Sequence, residues 1–338
     1  MDEILRKEAL ELNKKGITKP LLFVIRPSYR CNSRCIMCDF WKRKTPGMEF
    51  NIIKNAIIEA KDLGSKEIRL TGGEPTIYPY FFEILKLTKE LNLDVSIITN
   101  GFTLSENLIN RLEEYFPKHI HVSVDSSRPE THNKLRGIKS FDNIYNGLKL
   151  LKEKRPDQKI VINYVVNNLN YEHIVELIEL WGGKLFDELN LIPIRGNENL
   201  YLSKKQMIHY NEEIVPKINK LLKEKNMKSR HVNQYIFGIK NDELELSKNS
   251  NYTKKIYKNM GCLASKYSLF MDTNGAIYPC TNTPYLGEKF LLGNIYDKTL
   301  KEIINSKTYA NKLKNAGNPK FCVSCDPVNC YLNSLANI

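Results

Sequence analysis

Three cysteines lie close together near the beginning of the chain, at Cys31, Cys35 and Cys38. This C-x3-C-x2-C spacing offers three thiolates to one metal cluster. A four-iron cluster needs four ligands, so a loop that supplies three thiolates leaves one iron open to bind a reacting molecule. The spacing differs from the C-x2-C pairs of zinc sites and from the ferredoxin run. A structural zinc knuckle, or a coincidence of buried thiols, is the alternative interpretation.

The other five of the eight cysteines all lie in the last quarter of the sequence, with none between Cys38 and Cys262. In a reducing compartment, such clustering indicates metal binding and not disulfides. These five are Cys262, Cys280, Cys322, Cys325 and Cys330.

The bulk composition is that of a soluble globular protein, with 338 residues, 42% apolar and 26% charged. No apolar run approaches the roughly 18 residues of a membrane span, and the N-terminus lacks the layout of a signal peptide. We therefore expect a cytoplasmic protein that does not bind a membrane. The net charge of +13 points toward nucleic acid or an anionic ligand, but the lysines form no block of like charge. A solvated basic surface is favoured, and an acidic substrate or RNA stays open.

The elements that must position the first cysteines alternate between strand and helix about six times. Short apolar strands are expected near residues 21–25, 67–70, 94–99, 119–124, 159–166 and 188–193, with helices between them. This alternation predicts an α/β fold with a parallel sheet, a partial (β/α)6 TIM-like barrel. Polar clusters follow the strand ends, where such barrels place active sites.

After Arg195 the alternation ends. A helix near 203–226 and a polar stretch near 227–258 precede Asn274-Gly275, a turn signal between two short strands. The expected organisation is an N-terminal helix over 1–16, a core over 17–226, a linker over 227–258 and a small hairpin-plus-helix domain over 259–338.

Two further motifs follow predicted strands. The first is Thr71-Gly-Gly-Glu-Pro75, in which paired glycines let the backbone turn sharply and approach a ligand. In the second, Ser123 and Asp125 alternate with valines and so share one sheet face, and Arg136-Gly137 follows. A guanidinium matches a carboxylate bidentately; a surface ion pair is the alternative role for Arg136.

With these motifs, residues 15–200 resemble the core of the radical S-adenosylmethionine (SAM) enzymes. The family places an aromatic residue before the third cysteine, whereas this chain has Met37, which can fill the same gap. The resemblance implies that Cys31, Cys35 and Cys38 hold a [4Fe–4S] cluster that binds SAM, and that Arg136 pairs with the SAM carboxylate. The other SAM contacts that it implies are Gly72, Gly73, Glu74, Pro75, Asn100, Ser123 and Asn163, with Asp125 serving SAM or the substrate.

The C-terminal cysteines resemble the auxiliary-cluster module called SPASM, or its shorter relative called twitch. The resemblance implies one auxiliary [4Fe–4S] cluster, with Cys262, Cys280, Cys322 and Cys325 as expected ligands and Cys330 as a spare thiol or substitute ligand. A structural zinc is the rival, because C-x2-C pairs suit zinc equally well.

The resemblance implies an enzyme that reductively cleaves SAM with an electron from a donor such as flavodoxin or ferredoxin. The resulting radical takes a hydrogen atom from the substrate, for oxidation or bond formation on a small molecule or a ribosomally made peptide. The sequence shows no N-terminal peptide-recognition domain, which favours a small molecule or a peptide delivered by a partner. An RNA- or nucleotide-modifying enzyme and a non-catalytic metal-binding scaffold are the alternatives. Tyr78, Tyr164 and Arg195 are possible substrate contacts, whereas His121, His132 and His173 are expected to serve packing or the surface.

Overall fold

The computed structural model describes residues 3–194, 197–229, 262–313 and 315–316. The chain forms two compact units, one of residues 1–30, 43–97 and 253–338 and the other of residues 31–42 and 98–252. The helices are α1 (Glu3–Lys14), α2 (Phe50–Asp62), α3 (Phe81–Glu90), α4 (Glu106–Leu112), α5 (Pro129–Arg136), α6 (Phe141–Lys154), α7 (His173–Trp181), α8 (Lys204–His209), α9 (Val215–Glu224), α10 (Leu263–Tyr267), α11 (Leu300–Ile304) and α12 (Lys307–Leu313). The strands are β1 (Leu22–Ile25), β2 (Glu67–Leu70), β3 (Asp94–Thr99), β4 (His119–Ser123), β5 (Lys159–Val166), β6 (Glu188–Pro193), β7 (Lys228–Ser229), β8 (Ser268–Met271), β9 (Ala276–Tyr278) and β10 (Gly293–Asn294).

The first unit contains strands in the order β10-β9-β8-β1-β2-β3. The strand β1 is apolar and buried throughout, and it pairs in parallel with β2 on one side and with β8 on the other. The strands β9 and β10 extend this sheet in the antiparallel sense. A C-terminal strand therefore pairs directly with the first strand of the chain.

Helix α1 packs in the same unit against the beginning of the C-terminal segment. Leu5 and Ala9 belong to one buried apolar cluster with Cys262, Leu263 and Tyr267. The Tyr267 hydroxyl also donates to the carbonyl of Ile17 at 3.0 Å. The N-terminal helix is thus part of the core of this unit.

The second unit contains the parallel strands β4-β5-β6-β7 in that order. Helices alternate with these strands and bury one apolar face. In α6, for example, Ile144, Leu148 and Leu151 are buried at the spacing of one helix face. The predicted α/β fold with a parallel sheet is confirmed. Among the described residues, neither strand order closes on itself, as a partial barrel requires.

Several elements differ from the sequence-based prediction. The helix expected near 203–226 is broken by a π-helical segment, Tyr210–Ile214, because Pro216 has no N–H to donate. The strand expected from Lys266 begins at Ser268, because α10 precedes it. Helix α5 was not predicted. The expected hairpin is present, but only Gly275 of its turn has positive φ.

In the described part of the chain, no helix combines the length and the apolar character that a membrane crossing requires. Most of the predicted linker and Arg195 lie outside the described residues.

Candidate functional site

The cysteine loop is held by the C-terminal end of α5, within the second unit. Arg34 and Ile36 donate their backbone N–H groups to the carbonyls of Arg136 and Leu135, each at 3.0 Å. These are among the last carbonyls of α5, which have no partner within the helix. Cys35, between the two donors, is buried, whereas Cys31 and Cys38 are half-buried, and all three are free thiols.

Gly137 makes this contact possible. It adopts a left-handed conformation (φ 62°) immediately after α5, the usual place for glycine at a helix end. A Cβ atom on Gly137 would lie 2.2 Å from the Arg34 carbonyl oxygen. The cysteine loop therefore approaches the helix closely only because this residue has no side chain.

Asn100 fixes the loop from a second direction. Its amide nitrogen lies 2.6 Å from Asn32 Oδ1, 3.0 Å from Ser33 Oγ and 3.8 Å from Cys31 Sγ. The backbone N–H of Ser33 also donates to Cys31 Sγ, at 3.4 Å. Cys31 thus has two nitrogen donors directed at its sulfur.

Arg136 connects the loop to a buried carboxylate. Its Nη1 lies 3.9 Å from Cys35 Sγ, and its Nε lies 2.6 Å from Asp125 Oδ2. Burial opposes the charge on Arg136, but Asp125 and Cys35 outweigh that effect and raise the pKa of the guanidinium. Burial raises the pKa of Asp125, and Arg136 counteracts that rise. The sequence predicted Arg136 beside SAM and Asp125 beside SAM or substrate; the structure pairs them with each other.

His132 contacts the backbone of Asp125. The Asp125 backbone N–H donates to His132 Nδ1 at 3.2 Å, and His132 Nε2 lies 3.1 Å from Ser140 Oγ. Burial, with a smaller contribution from Arg136, lowers the pKa of His132 to about 3. The imidazole is therefore neutral near pH 7 and carries its proton on Nε2. Its role here is packing, as the sequence indicated.

Polar side chains form a row across three neighbouring strands of the second unit. Ser123 on β4 aligns with Asn163 on β5, and Asn163 aligns with Asn190 on β6. Asn190 donates its amide to Asn163 Oδ1 at 2.9 Å. The Asn190 Oδ1 atom is buried and has no hydrogen-bond partner among the described residues. Asn190 was not predicted as a site residue, although it interrupts an apolar strand.

The Thr71–Pro75 segment lies against residues 28–30 in the first unit. Gly73 and Glu74 donate their N–H groups to the carbonyls of Ser28 and Arg30. A Cβ atom on Gly73 would lie 2.1 Å from the Arg30 carbonyl oxygen. Glu74 is buried and its carboxylate accepts from the N–H and hydroxyl of Thr76; Pro75 begins the short 3-10 turn that follows. The glycines are thus required for a close backbone approach to the chain's own residues 28–30, whereas the predicted approach to a ligand stays a prediction.

Two tyrosines proposed as substrate contacts are engaged by the protein. Tyr164 is fully buried and donates to the carbonyl of Asn170 at 2.7 Å, so it does not face a substrate. The buried Tyr78 hydroxyl donates to the carbonyl of Met48, and burial raises its pKa.

Asp272, which was not predicted as a functional residue, connects the ends of β1 and β8 in the first unit. It accepts hydrogen bonds from Arg26 Nη1 at 3.1 Å and from the Tyr29 hydroxyl at 2.8 Å. Both partners lie between β1 and the first cysteine. They are 243 or more residues away from Asp272 in the sequence, so no local pattern predicts the contact.

Of the C-terminal cysteines, the structure describes two. Cys262 is buried at the N-terminus of α10, where its sulfur accepts from the Ser265 N–H at 3.4 Å. Cys280 is half-buried beside Thr283. Cys322, Cys325 and Cys330 lie outside the described residues. Their assignment to an auxiliary cluster stays a prediction.

The donor set on the cysteine loop fits an iron–sulfur cluster. Among the described residues, no three His, Cys, Asp or Glu side chains come close enough to hold one metal ion. A zinc ion needs its ligands within 2.0–2.3 Å of a single centre, whereas the separate irons of a cluster each take a thiolate. Three free thiols on one loop can each supply a thiolate to a separate iron, and nitrogen donors lie near two of the sulfurs.

Comparison with family models agrees with this fit. The model of the radical SAM superfamily matches residues 25–180, and that of the SPASM iron–sulfur cluster-binding domain matches residues 262–330. The AdoMet-dependent heme synthase of Methanosarcina barkeri is 26% identical over 296 residues, 84% of this chain and 82% of that protein. A probable GTP 3',8-cyclase of Saccharolobus islandicus is 31% identical over 214 residues, 60% of this chain and 67% of that protein.

Solved structures show the same fold. Streptococcus suis SuiB bound to S-adenosylmethionine has a TM-score of 0.69 and 20% identity, over 95% of this chain and 76% of SuiB. The enzyme anSMEcpe, with bound AdoMet and the Cp18Cys peptide, has a TM-score of 0.65 and 21% identity, over 87% of this chain and 82% of that chain.

Proposed function

This chain belongs to the radical SAM superfamily and carries a C-terminal SPASM domain, and we propose that it abstracts a hydrogen atom from a substrate to oxidise it or form a bond. The family brings a SAM-bound [4Fe–4S] cluster and auxiliary iron–sulfur binding. When these groups are bound, reductive cleavage of SAM supplies a 5'-deoxyadenosyl radical.

The observation that carries the proposal is the way in which the protein holds the three-cysteine loop. Asn100 fixes one end of the loop and the last turn of α5 fixes the middle. Cys31, Cys35 and Cys38 would hold the cluster, since a loop so constrained presents its three thiolates without reorganisation. The fourth iron would then remain for SAM.

The row of Ser123, Asn163 and Asn190 is the proposed polar lining for SAM or substrate in the second unit. Its side chains offer hydroxyl and amide groups that match ribose hydroxyls and a carboxylate. In the first unit, the backbone of Gly72–Pro75 is the proposed site for the SAM amino group.

The substrate class that we favour is a small molecule or a ribosomally made peptide. Similarity in fold to SuiB, of which one structure is described as bound to precursor peptide SuiA, supports a peptide. The heme synthase relative, matched over most of both chains, supports a small molecule. One auxiliary [4Fe–4S] cluster would accept an electron from the substrate radical, which leaves the oxidised product.

The electron donor that we propose is an acidic protein such as flavodoxin or ferredoxin. Arg34 and Lys42 are exposed on the cysteine loop and both contact the ring of Trp41. Trp41 in turn donates to the carbonyl of Cys35 at 3.2 Å. Because Lys42 is paired with Asp39 at 2.7 Å, Arg34 supplies the positive charge here that suits an acidic partner.

A nucleotide substrate is the second candidate. Probable GTP 3',8-cyclases of Saccharolobus islandicus and Saccharolobus solfataricus are 31% and 30% identical to this chain, and the chain carries a net charge of +13. Tight, salt-sensitive binding of tRNA or nucleotide would favour this candidate.

The test begins with anaerobically reconstituted protein, dithionite and SAM, and follows 5'-deoxyadenosine. The Cys35→Ala variant is expected to abolish SAM cleavage and to keep the metal bound by the C-terminal cysteines. A wild-type protein that holds iron but leaves SAM intact would contradict the proposal. To find the substrate, the reduced protein is incubated with SAM and an extract of cells grown in deuterated medium; deuterium in 5'-deoxyadenosine then marks the fraction to purify.

A further inference from the structure

Arg136 is the buried residue whose contacts the proposed function does not yet explain. It contacts Cys35 through its side chain and the residue before Cys35 through its backbone. Its side chain directs Nη1 at the Cys35 sulfur, and its backbone carbonyl accepts from Arg34, the residue before Cys35. We infer that Arg136 raises the reduction potential of the cluster by placing a fixed positive charge beside the Cys35 thiolate. This inference rests on the proposed function.

The guanidinium cannot turn freely, because Asp125 fixes it. Asp125 is fully buried and holds Arg136 Nε at 2.6 Å. Its other carboxylate oxygen accepts from the Val165 N–H at 2.8 Å, and its carbonyl accepts from the Asn170 amide at 2.7 Å. With its Nε held by Asp125, the guanidinium directs Nη1 at the Cys35 sulfur.

Arg136 and Cys35 are both buried, and this burial determines how strongly the guanidinium affects the cluster. Reduction adds one negative charge to a cluster already made negative by its thiolates. A cation that solvent does not screen stabilises that added charge far more than an exposed one does. Hydrogen bonds to the sulfurs and solvent exposure are among the factors that set cluster potentials. Arg136 is only 9% exposed and donates toward the Cys35 sulfur, so it affects both of these factors.

This role differs measurably from that of a SAM ligand. If Arg136 only paired with the SAM carboxylate, its replacement would weaken SAM binding and leave the potential without SAM unchanged. If it acts on Cys35, the potential changes even without SAM. A redox titration without SAM therefore separates the two roles.

The experiment measures the potential of the cluster by dithionite titration, followed by electron paramagnetic resonance. The N-terminal cluster is identified beforehand as the signal that SAM perturbs in a parallel sample. Arg136→Gln is expected to lower the ratio of reduced to oxidised cluster about tenfold at a fixed solution potential, which corresponds to about 59 mV for one electron. Arg136→Lys, which keeps the charge, is expected to change the ratio by less than about threefold.

Asp125→Asn gives an independent measurement with the opposite sign. It removes the countercharge and keeps one oxygen that can still accept from Arg136 Nε, so the guanidinium stays beside Cys35 and the ratio of reduced to oxidised cluster is expected to rise. This variant decides the question if Arg136→Gln loses its cluster. Lys134→Gln is the matched control, because Lys134 lies on the same helix with its side chain exposed; its ratio should equal that of the wild type.

The inference is overturned if Asp125→Asn leaves the SAM-free potential unchanged, or if Arg136→Gln keeps its cluster and changes SAM affinity alone. A wild-type protein that binds no cluster or leaves SAM intact would instead refute the proposed function. The two failures are therefore distinguishable.

Discussion

Gly137 lies so close to Arg34 that a Cβ atom on the glycine would stand 2.2 Å from the Arg34 carbonyl oxygen. Real Cβ atoms do not come this near to backbone oxygen, so a Gly137→Ala variant must separate α5 from the cysteine loop. We expect it to lose most of the iron of the N-terminal cluster, measured by iron content and by loss of 5'-deoxyadenosine formation.

Gly16 provides the matched control for this variant. It has nearly the same positive φ (69° against 62°), but nothing lies within 4 Å of its Cβ position. Gly16→Ala therefore introduces the same backbone strain, about 1 kcal/mol, without the collision. If both variants keep equal iron, the close approach does not hold the loop.

Gly73→Ala tests the segment proposed to bind the SAM amino group. The new Cβ would lie 2.1 Å from the Arg30 carbonyl oxygen and 2.4 Å from that of Tyr29, and this displaces the Thr71–Pro75 backbone. We expect SAM affinity to fall at least about tenfold, or about 1.4 kcal/mol, in equilibrium dialysis. A folded variant that binds SAM as tightly as the wild type would contradict the assignment.

His132 makes stability depend on pH. Its pKa is about 3 in the folded protein and about 6.5 in the unfolded chain. Between these values the unfolded chain binds a proton that the folded protein does not, so the free energy of unfolding falls as the pH drops below 6.5. The contribution reaches about 1.4 kcal/mol per pH unit.

We expect His132→Gln to flatten this dependence between pH 6.5 and 5.5, where carboxylates contribute little. Anaerobic denaturant titrations at several pH values measure it. Equal slopes in the wild type and the variant would show that His132 is not held neutral by burial.

Cys262 has a structural role and a proposed metal-binding role, and a serine separates them. Serine can accept the hydrogen bond from the Ser265 N–H at the start of α10 but is a poor iron ligand. Cys262→Ser is expected to keep its melting temperature within a few degrees and to lose the auxiliary iron, about four of about eight atoms per chain. Ser265→Ala should keep all the iron. Zinc in the wild-type protein would refute the auxiliary cluster.

Sequence patterns predicted the alternation of strands and helices and the cysteine loop, because local periodicity and spacing carry that information. They did not predict α5, although Pro129 at its first turn and Gly137 after its end are the usual signals. The segment before Arg136 was not assigned to a helix, since α5 has little apolar pattern.

The contact between Arg136 and Asp125 could not be predicted from the sequence for a different reason. The sequence indicates that Asp125 ends a strand and that an arginine suits a carboxylate. Which carboxylate Arg136 contacts depends on how β4, β5 and α5 pack. In the structure that carboxylate belongs to Asp125 of the protein itself. Likewise, the pairing of Arg26 with Asp272 joins residues 246 positions apart, which no local pattern encodes.

The pairing of β1 with β8 has a consequence for how this protein can be divided. β1 has neighbours on both sides only because a C-terminal strand is laid along it. In a shortened chain ending near residue 226, the apolar strand β1 would become an edge strand whose unpaired N–H and C=O groups could pair with another molecule. The C-terminal segment is therefore needed to cover β1. An isolated N-terminal fragment should aggregate even if every residue proposed to bind SAM is present.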